Sequence, residues 1–326
     1  MPRATNTING KAFEYACLSA IFNKLRSQNK DVSIVESSAY NTAERAYESL
    51  SVSQKEKYNA AAETSVRLLF PLEPKIENGN GTLMLQIAAD AVARGVDGDV
   101  RDVLCIRSDD GWTIGMSCKH NHEALRHPRI TEGKDFGRDW IGISCSDDFM
   151  EEITPIIDSL VSCGQNNILW RTIDRKHDRY YVPILEAYLK EIRRLCETHE
   201  GVPGRLLSYF FGANDFYKVI MKESSRSTTV EGFNMNGTLN MPCGRTRAMM
   251  RVPVLRMPTR LLDAEFKQTR SGRSKTTIVL TFDNGWSISM RLHNKDKYAR
   301  PISLAWDVVL EGLPPSVYVN THSWDE

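Results

Sequence analysis

Apolar positions recur along this chain at two periods. From Gly10 to Leu25 they fall at helical spacing, with Phe13, Cys17, Ala20 and Ile21 on one face and Glu14 among apolar neighbours. Val32–Val35 predicts a short strand. Asn41–Leu50 and Ser53–Phe70 predict helices; the second opens with Ser53-Gln-Lys-Glu56, a capping-box pattern, and ends at Pro71. After the turn Asn78-Gly-Asn-Gly81, Leu83–Arg94 reads as a helix. Val103–Ile106 and Trp112–Met116 are apolar or β-favouring and flank Asp109-Asp110-Gly111, so they predict an antiparallel hairpin. Trp140–Ser146 reads as a third strand and Asp148–Cys163 and Tyr180–Cys196 as helices. Leu206–Phe211 and Asp215–Met221 read as short helices parted by Gly212. Beyond residue 223 the pattern turns to strands, Leu261–Thr269, Thr276–Phe282 and Trp286–Leu292, with Asp283-Asn284-Gly285 as a hairpin signal. The expected organisation is a helical and α/β portion over 1–222 and a β-rich portion over 223–326. No Pro/Gly-rich linker separates them, so they can form one continuous fold.

Composition narrows the class. With 326 residues, 41% hydrophobic and 25% charged, the chain has the make-up of a soluble globular protein of one large or two ordinary domains. No apolar run is long enough to span a membrane, and the start Met1-Pro-Arg-Ala-Thr has no signal-peptide pattern, which points to the cytoplasm. Seven scattered cysteines without a Cys-x-x-Cys pair agree with reduced thiols and argue against a zinc module. The net charge of +1 says little about partners, but its distribution says more. Nine basic residues lie between Arg245 and Lys275, opposed only by Asp263 and Glu265, so this window carries +7 and the rest of the chain −6. Such a stripe suits a polyanion held at one place, or is a solvated face of strands.

The densest chemistry lies between Asp99 and Arg129. If the hairpin turns near residue 110, Asp102 and Lys119 lie roughly opposite each other, and alternation puts Ser117 and Lys119 on one face. Asp102, Ser117 and Lys119 then converge on one sheet edge. A slip of one residue would send Asp102 to the other face and leave an ordinary surface hairpin with charged ends. A carboxylate beside a lysine is what metal-assisted phosphodiester hydrolysis needs: the carboxylate holds the cation, and the lysine stabilises growing charge and orients water. His120, Asn121, His122, Arg126, His127 and Arg129 follow at once and would contact DNA phosphates or brace the site. Arg291, His293 and Asn294 close a strand whose alternate positions can reach a major groove. If the target is GC-rich, the arginines from Arg245 to Arg260, with Arg245, Arg247 and Arg251 first among them, and Arg291 are the natural readers, although most arginines in such a stripe touch phosphate.

Gly10-Lys-Ala-Phe-Glu-Tyr-Ala16, Gly98-Asp-Val-Arg-Asp-Val103 and, above all, Ser117-Cys-Lys-His-Asn-His-Glu-Ala-Leu-Arg-His-Pro-Arg129 resemble the HaeIII-type family of type II restriction endonucleases. Asp215-Phe-Tyr-Lys218 and Ser287-Ile-Ser-Met-Arg-Leu-His-Asn294 are similar to it as well, so the resemblance covers most of the chain. It implies the PD-(D/E)XK nuclease fold, an α/β (α+β) class with a mixed β-sheet flanked by helices and a β-rich C-terminal portion. It also implies Mg²⁺-dependent cutting of double-stranded DNA at a short palindrome. GGCC, the site of the family's type member, is the expected palindrome. Asp102 would be the metal-binding acid, Lys119 the catalytic lysine and Glu14 the acid on the first helix. Ser117 stands where an Asp or Glu is usual, so a second carboxylate must come from Glu14 or Asp99, and the Cys118 carbonyl could add a ligand. A palindrome implies a homodimer, and a restriction enzyme implies a cognate DNA methyltransferase as a genetic partner. A repair or structure-specific nuclease on the same scaffold, or a catalytically inactive sequence-specific DNA-binding protein, stays open beside this reading.

Overall fold

The computed structural model describes residues 2–89, 99–120, 128–130 and 135–325, with the side chains of 2–6 set aside. The chain forms two compact units that interleave in sequence: residues 1–123, 213–255 and 316–326 make one, and residues 124–212 and 256–315 the other. The expected division at 222/223 does not coincide with them, because a strand pairs with whichever backbone presents an open edge, wherever that backbone lies in the sequence.

The first unit is a mixed sheet with helices against it. Its elements are α1 (Pro2–Ser27), β1 (Val32–Ile34), α2 (Ser38–Glu48), α3 (Val52–Leu69), α4 (Pro74–Asn78), β2 (Leu83–Ile87), β3 (Val103–Arg107), β4 (Trp112–His120), β5 (Phe216–Lys222), β6 (Ser227–Phe233) and β11 (Tyr318–Ser323). The described strands run in the order β1-β2-β3-β4-β5-β6-β11, with β1–β2 and β4–β5 parallel and the other pairs antiparallel. Phe13, Cys17, Ile21 and Leu25 of α1 share one buried apolar cluster with Ile114, Met116 and Cys118 of β4 and with Tyr217, Val219 and Met221 of β5. α3 begins at a capping box, but with Ser51 and Gln54 rather than the expected Ser53 and Glu56.

The second unit holds α5 (Phe136–Ile141), α6 (Asp147–Gln165), α7 (Val182–Thr198) and α8 (Val202–Phe211). With them is an antiparallel sheet of β7 (Leu261–Thr269), β8 (Gly272–Phe282), β9 (Ser287–Asn294) and β10 (Leu304–Gly312) in the order β10-β9-β8-β7. Aromatic side chains fill its core: Phe136 stacks on Tyr188 at 4.4 Å, Tyr188 meets Trp306 at 4.9 Å, and Phe211 meets Trp286 at 5.3 Å. The fold is therefore α+β, as expected. No described helix is long and apolar enough to cross a membrane.

Three elements differ from expectation, each for a tertiary reason. Leu83–Ile87, read as the start of a helix, is strand β2: Leu83, Leu85 and Ile87 alternate inward and its backbone is paired on both sides; residues 90–94 of that expected helix fall among those not described. Phe136–Ile141 is a helix where Trp140–Ser146 reads as a strand. Asp135 caps it by accepting from the Arg138 N–H, and Gly142 ends it with φ +73°. Asp215–Met221, read as a helix, is β5, a central strand buried on both faces; such strands lose alternation and imitate short buried helices.

The segment 234–255 carries no long strand, yet buried polar groups hold it firmly. The Asp215 carboxylate accepts from the backbone N–H of Met235, Asn236 and Thr238 and from the Thr238 hydroxyl. Glu73, fully buried, accepts from the Tyr217 hydroxyl at 2.7 Å and from the Asn240 N–H, while its Oε2 is unpartnered. Burial pushes the Glu73 carboxyl up to about 7 against the hydrogen bonds that favour its charged form. A carboxyl raised on folding opposes stability once ionised, so the fold loses of order 3 kcal/mol as pH rises from about 4.5 through about 7. Glu73→Gln keeps an acceptor for Tyr217 and Asn240 and removes the charge. It is expected to melt a few degrees above the parent at pH 8, with the gap closing toward pH 5 in thermal denaturation; a lower melting point at pH 8 would refute this.

Candidate active site

The site is built on the β3–β4 hairpin. The ladder pairs Val103 with Met116, which places Asp102 across from Ser117, with Lys119 two residues farther along the same face. The register thus differs by about two residues from direct opposition of Asp102 and Lys119. An even offset keeps the face, so the two side chains still meet. The Lys119 amine lies 3.6 Å from Asp102 Oδ2, and the two side chains are 21% and 22% exposed. The same Oδ2 accepts from the Cys118 backbone N–H at 2.8 Å and from the Ser117 hydroxyl at 3.4 Å. Ser117 is buried, so the residue in the place of the usual acid orients Asp102.

Glu14 reaches this group from α1. Burial, and after it the Asp102 charge, push its carboxyl up to about 8, with Lys11 and Lys119 pulling the other way. The Lys11 amine sits 3.0 Å from Glu14 Oε2. Glu14 is therefore a buried carboxyl within electrostatic reach of Asp102 and Lys119, its neutral form favoured chiefly by burial. Among the described residues no three His, Cys, Asp or Glu side chains gather as a metal-ligating group. Two carboxylates suffice for Mg²⁺, which keeps waters and substrate phosphates as its other ligands, so the donor set fits.

Of the other expected ligands, Asp99 is engaged elsewhere and Cys118 can offer only its backbone. The Asp99 carboxylate is held by Arg101 through two nitrogens at 2.6–3.0 Å and by the Asn214 amide at 3.4 Å. The buried Cys118 thiol lies against Cys17, which leaves its backbone carbonyl as the available donor.

His120 braces the site. Its ring stacks on Tyr58 of α3 at 5.4 Å and its Nε2 lies 2.7 Å from Glu223, which also pairs with Lys57 at 3.0 Å. Those two partners and Lys57 were not singled out in the sequence, because they lie far from the motif in the chain. Lys218 of the Asp215-Phe-Tyr-Lys218 motif is likewise brought beside Ser117 by the parallel β4–β5 pairing, and its buried amine lies 3.6 Å from Glu231.

The remaining basic and polar residues divide. Arg245, Arg247 and Arg251 are exposed and make no ion pair among the described residues. Arg260, Lys267, Arg273 and Lys275 are paired with Asp283, Glu311, Glu186 and Asp178. The stripe read in the sequence is therefore part open cation, part surface ion pair. In the second unit, Arg129 donates to the Ile302 carbonyl at 2.8 Å and Arg291 is exposed. His293 Nδ1 is 3.5 Å from Asp307, and burial draws its pKa below the usual value. Asn294 folds back on Asp296 in a local turn. Asn121, His122, Arg126 and His127 lie outside the described residues.

The family model for the HaeIII restriction endonuclease matches residues 10–314. The chain is 36% identical over 319 residues to type II restriction enzyme HaeIII of Haemophilus aegyptius, covering 98% of each chain. No solved structure matches. A carboxylate–lysine pair at the end of a hairpin and a match over nearly the whole length lead to one conclusion: the chain belongs to the HaeIII restriction endonuclease family of site-specific endonucleases.

Proposed function

We propose that this protein is a type II restriction endonuclease that hydrolyses double-stranded DNA at the palindrome GGCC with Mg²⁺, acting as a homodimer. The observation that carries the reading is the Lys119 amine 3.6 Å from Asp102, beside a buried Glu14 that feels both charges. Asp102, Glu14 and the Cys118 carbonyl would hold the cation. When bound, Mg²⁺ supplies positive charge for the phosphate oxygens and makes a water more acidic. Lys119 would face the scissile phosphate and stabilise the charge that grows on it. Ser117 and the Cys118 N–H keep Asp102 in one orientation while this happens. The family match and the relative's name support the restriction reading over repair or a binder without catalysis. The test is incubation of the pure protein with Mg²⁺ and a plasmid of known GGCC positions. Discrete fragments ending at those positions are expected; nicking without site preference, or intact shifted DNA, would overturn the reading.

Glu14 adds a pH dependence. Below about pH 8 it holds a proton that a cation must displace. The Mg²⁺ concentration for half-maximal cutting is therefore expected to fall about tenfold per unit as pH rises from about 6 to 8. Glu14→Gln should flatten that profile; an unchanged slope in the variant would remove Glu14 from the cation's ligands.

A further inference from the structure

Arg245 and Arg247 are exposed cations on a fastened part of the first unit. Cys243 and Thr246 exchange backbone hydrogen bonds of 2.9 Å each way, so Gly244-Arg245 forms the tip of a two-residue hairpin, with Gly244 at φ +57°. The Cys243 thiol donates to the Asn78 carbonyl at 2.9 Å, and the Met249 N–H donates to the Pro71 carbonyl at 2.8 Å. Two separate paths place this hairpin far from Lys119. Asn80, two residues from Asn78, donates to Asp110 at the tip of the β3–β4 hairpin. From Trp112, at the β4 end of that tip, to Lys119 is about 23 Å of strand. α3 gives a similar span: Tyr58 stacks on His120 at the catalytic end, and the helix runs about 18 Å from there to Phe70, next to Pro71.

A four-base-pair site extends about 14 Å along the duplex, at 3.4 Å per pair. Cations some 20 Å from the cleavage site lie beyond it. We infer that Arg245 and Arg247 do not read the recognition bases but grip backbone phosphates of the flanking duplex, about six base pairs from the cut. This rests on the reading of the chain as a double-stranded-DNA endonuclease and adds that its footprint is longer than its site. Charge serves this role and base-edge geometry does not enter, which agrees with two exposed arginines that make no ion pair or side-chain hydrogen bond among the described residues to orient them for bidentate readout.

The test is binding, read by fluorescence anisotropy without divalent metal, to two GGCC duplexes: one of about ten base pairs, one of about thirty. For Arg245→Ala/Arg247→Ala the slope of log affinity against log salt on the long duplex is expected to drop by up to about 1.8 per protomer, about 3.6 for the dimer, with affinity for the short duplex unchanged. Arg245→Lys/Arg247→Lys keeps the charges and should keep the parental slope. Equal loss on both duplexes, or a parental slope in the alanine variant, overturns the inference. Because binding is measured without cutting, a protein that binds as described but never cleaves would count against the proposed function alone.

Discussion

Lys119→Ala is expected to slow single-turnover DNA cleavage by about 10²–10³-fold while leaving DNA binding near the parental level. The physical case rests on what the truncation leaves behind. The backbone of Lys119 stays in the ladder opposite Ile220 of β5, so the strand survives. Asp102 keeps the Cys118 N–H and the Ser117 hydroxyl, so its carboxylate keeps its place. Only the compact charge 3.6 Å from Asp102 is lost, and with it the stabilisation of charge that develops in the transition state. Loss of a partly exposed ion pair costs little stability. The decisive pair of measurements is a cleavage rate and a gel shift on the same duplex. Cleavage at the parental rate would remove Lys119 from the mechanism.

Asp102→Asn is expected to lose about a thousandfold in cleavage and to need far more Mg²⁺ for what remains. Asparagine has the same shape, and its carbonyl can still accept from Cys118 and Ser117. The change is therefore one of charge alone. It should also lower the Glu14 pKa, because the Asp102 charge is the second cause holding that carboxyl near 8. Above about pH 8, where Glu14 is ionised in the parent, the variant is thus expected to fold as stably as the parent, or more so, while failing as an enzyme: removal of like-charge repulsion at a functional site relieves strain that activity requires. A variant with normal cleavage at low Mg²⁺ would show that Asp102 orients Lys119 without touching the cation.

Much of the site was legible before any coordinates. Asp102, Ser117 and Lys119 were placed on one face by a turn signal and strand alternation, and the ladder between Val103 and Met116 bears that out. The register differed by two, which strand alternation forgives. Strand β2 and strand β5 were misread for a shared reason. Both are short apolar runs whose partners lie elsewhere in the chain, and nothing local separates a doubly buried strand from a short buried helix. Trp140 was misread because its aromatic neighbours belong to a helix-packed core, with Tyr209 stacked on it at 5.3 Å. The basic stripe was visible as composition, but which of its members are neutralised depends on acids as distant as Asp178 and Glu311.

The sequence by itself determined the chemistry available: one acid and one lysine bracketing a turn, an acid on the first helix, a serine in place of the expected carboxylate, and a concentration of arginines. The acid, the lysine and the arginines follow from residue type and short-range spacing, which covalent geometry carries directly; the parts of Glu14 and Ser117 follow from what the family resemblance implies. Tertiary structure alone decided how that chemistry is arranged. It buried Glu14 and brought it into the field of Asp102, and it locked His120 between Tyr58 and Glu223. It also set Arg245 at the far end of the sheet from Lys119. Each of these depends on groups remote in the chain being held a few ångströms apart. That proximity is set by the summed burial and pairing of the whole sheet, and no local stretch of residues encodes it.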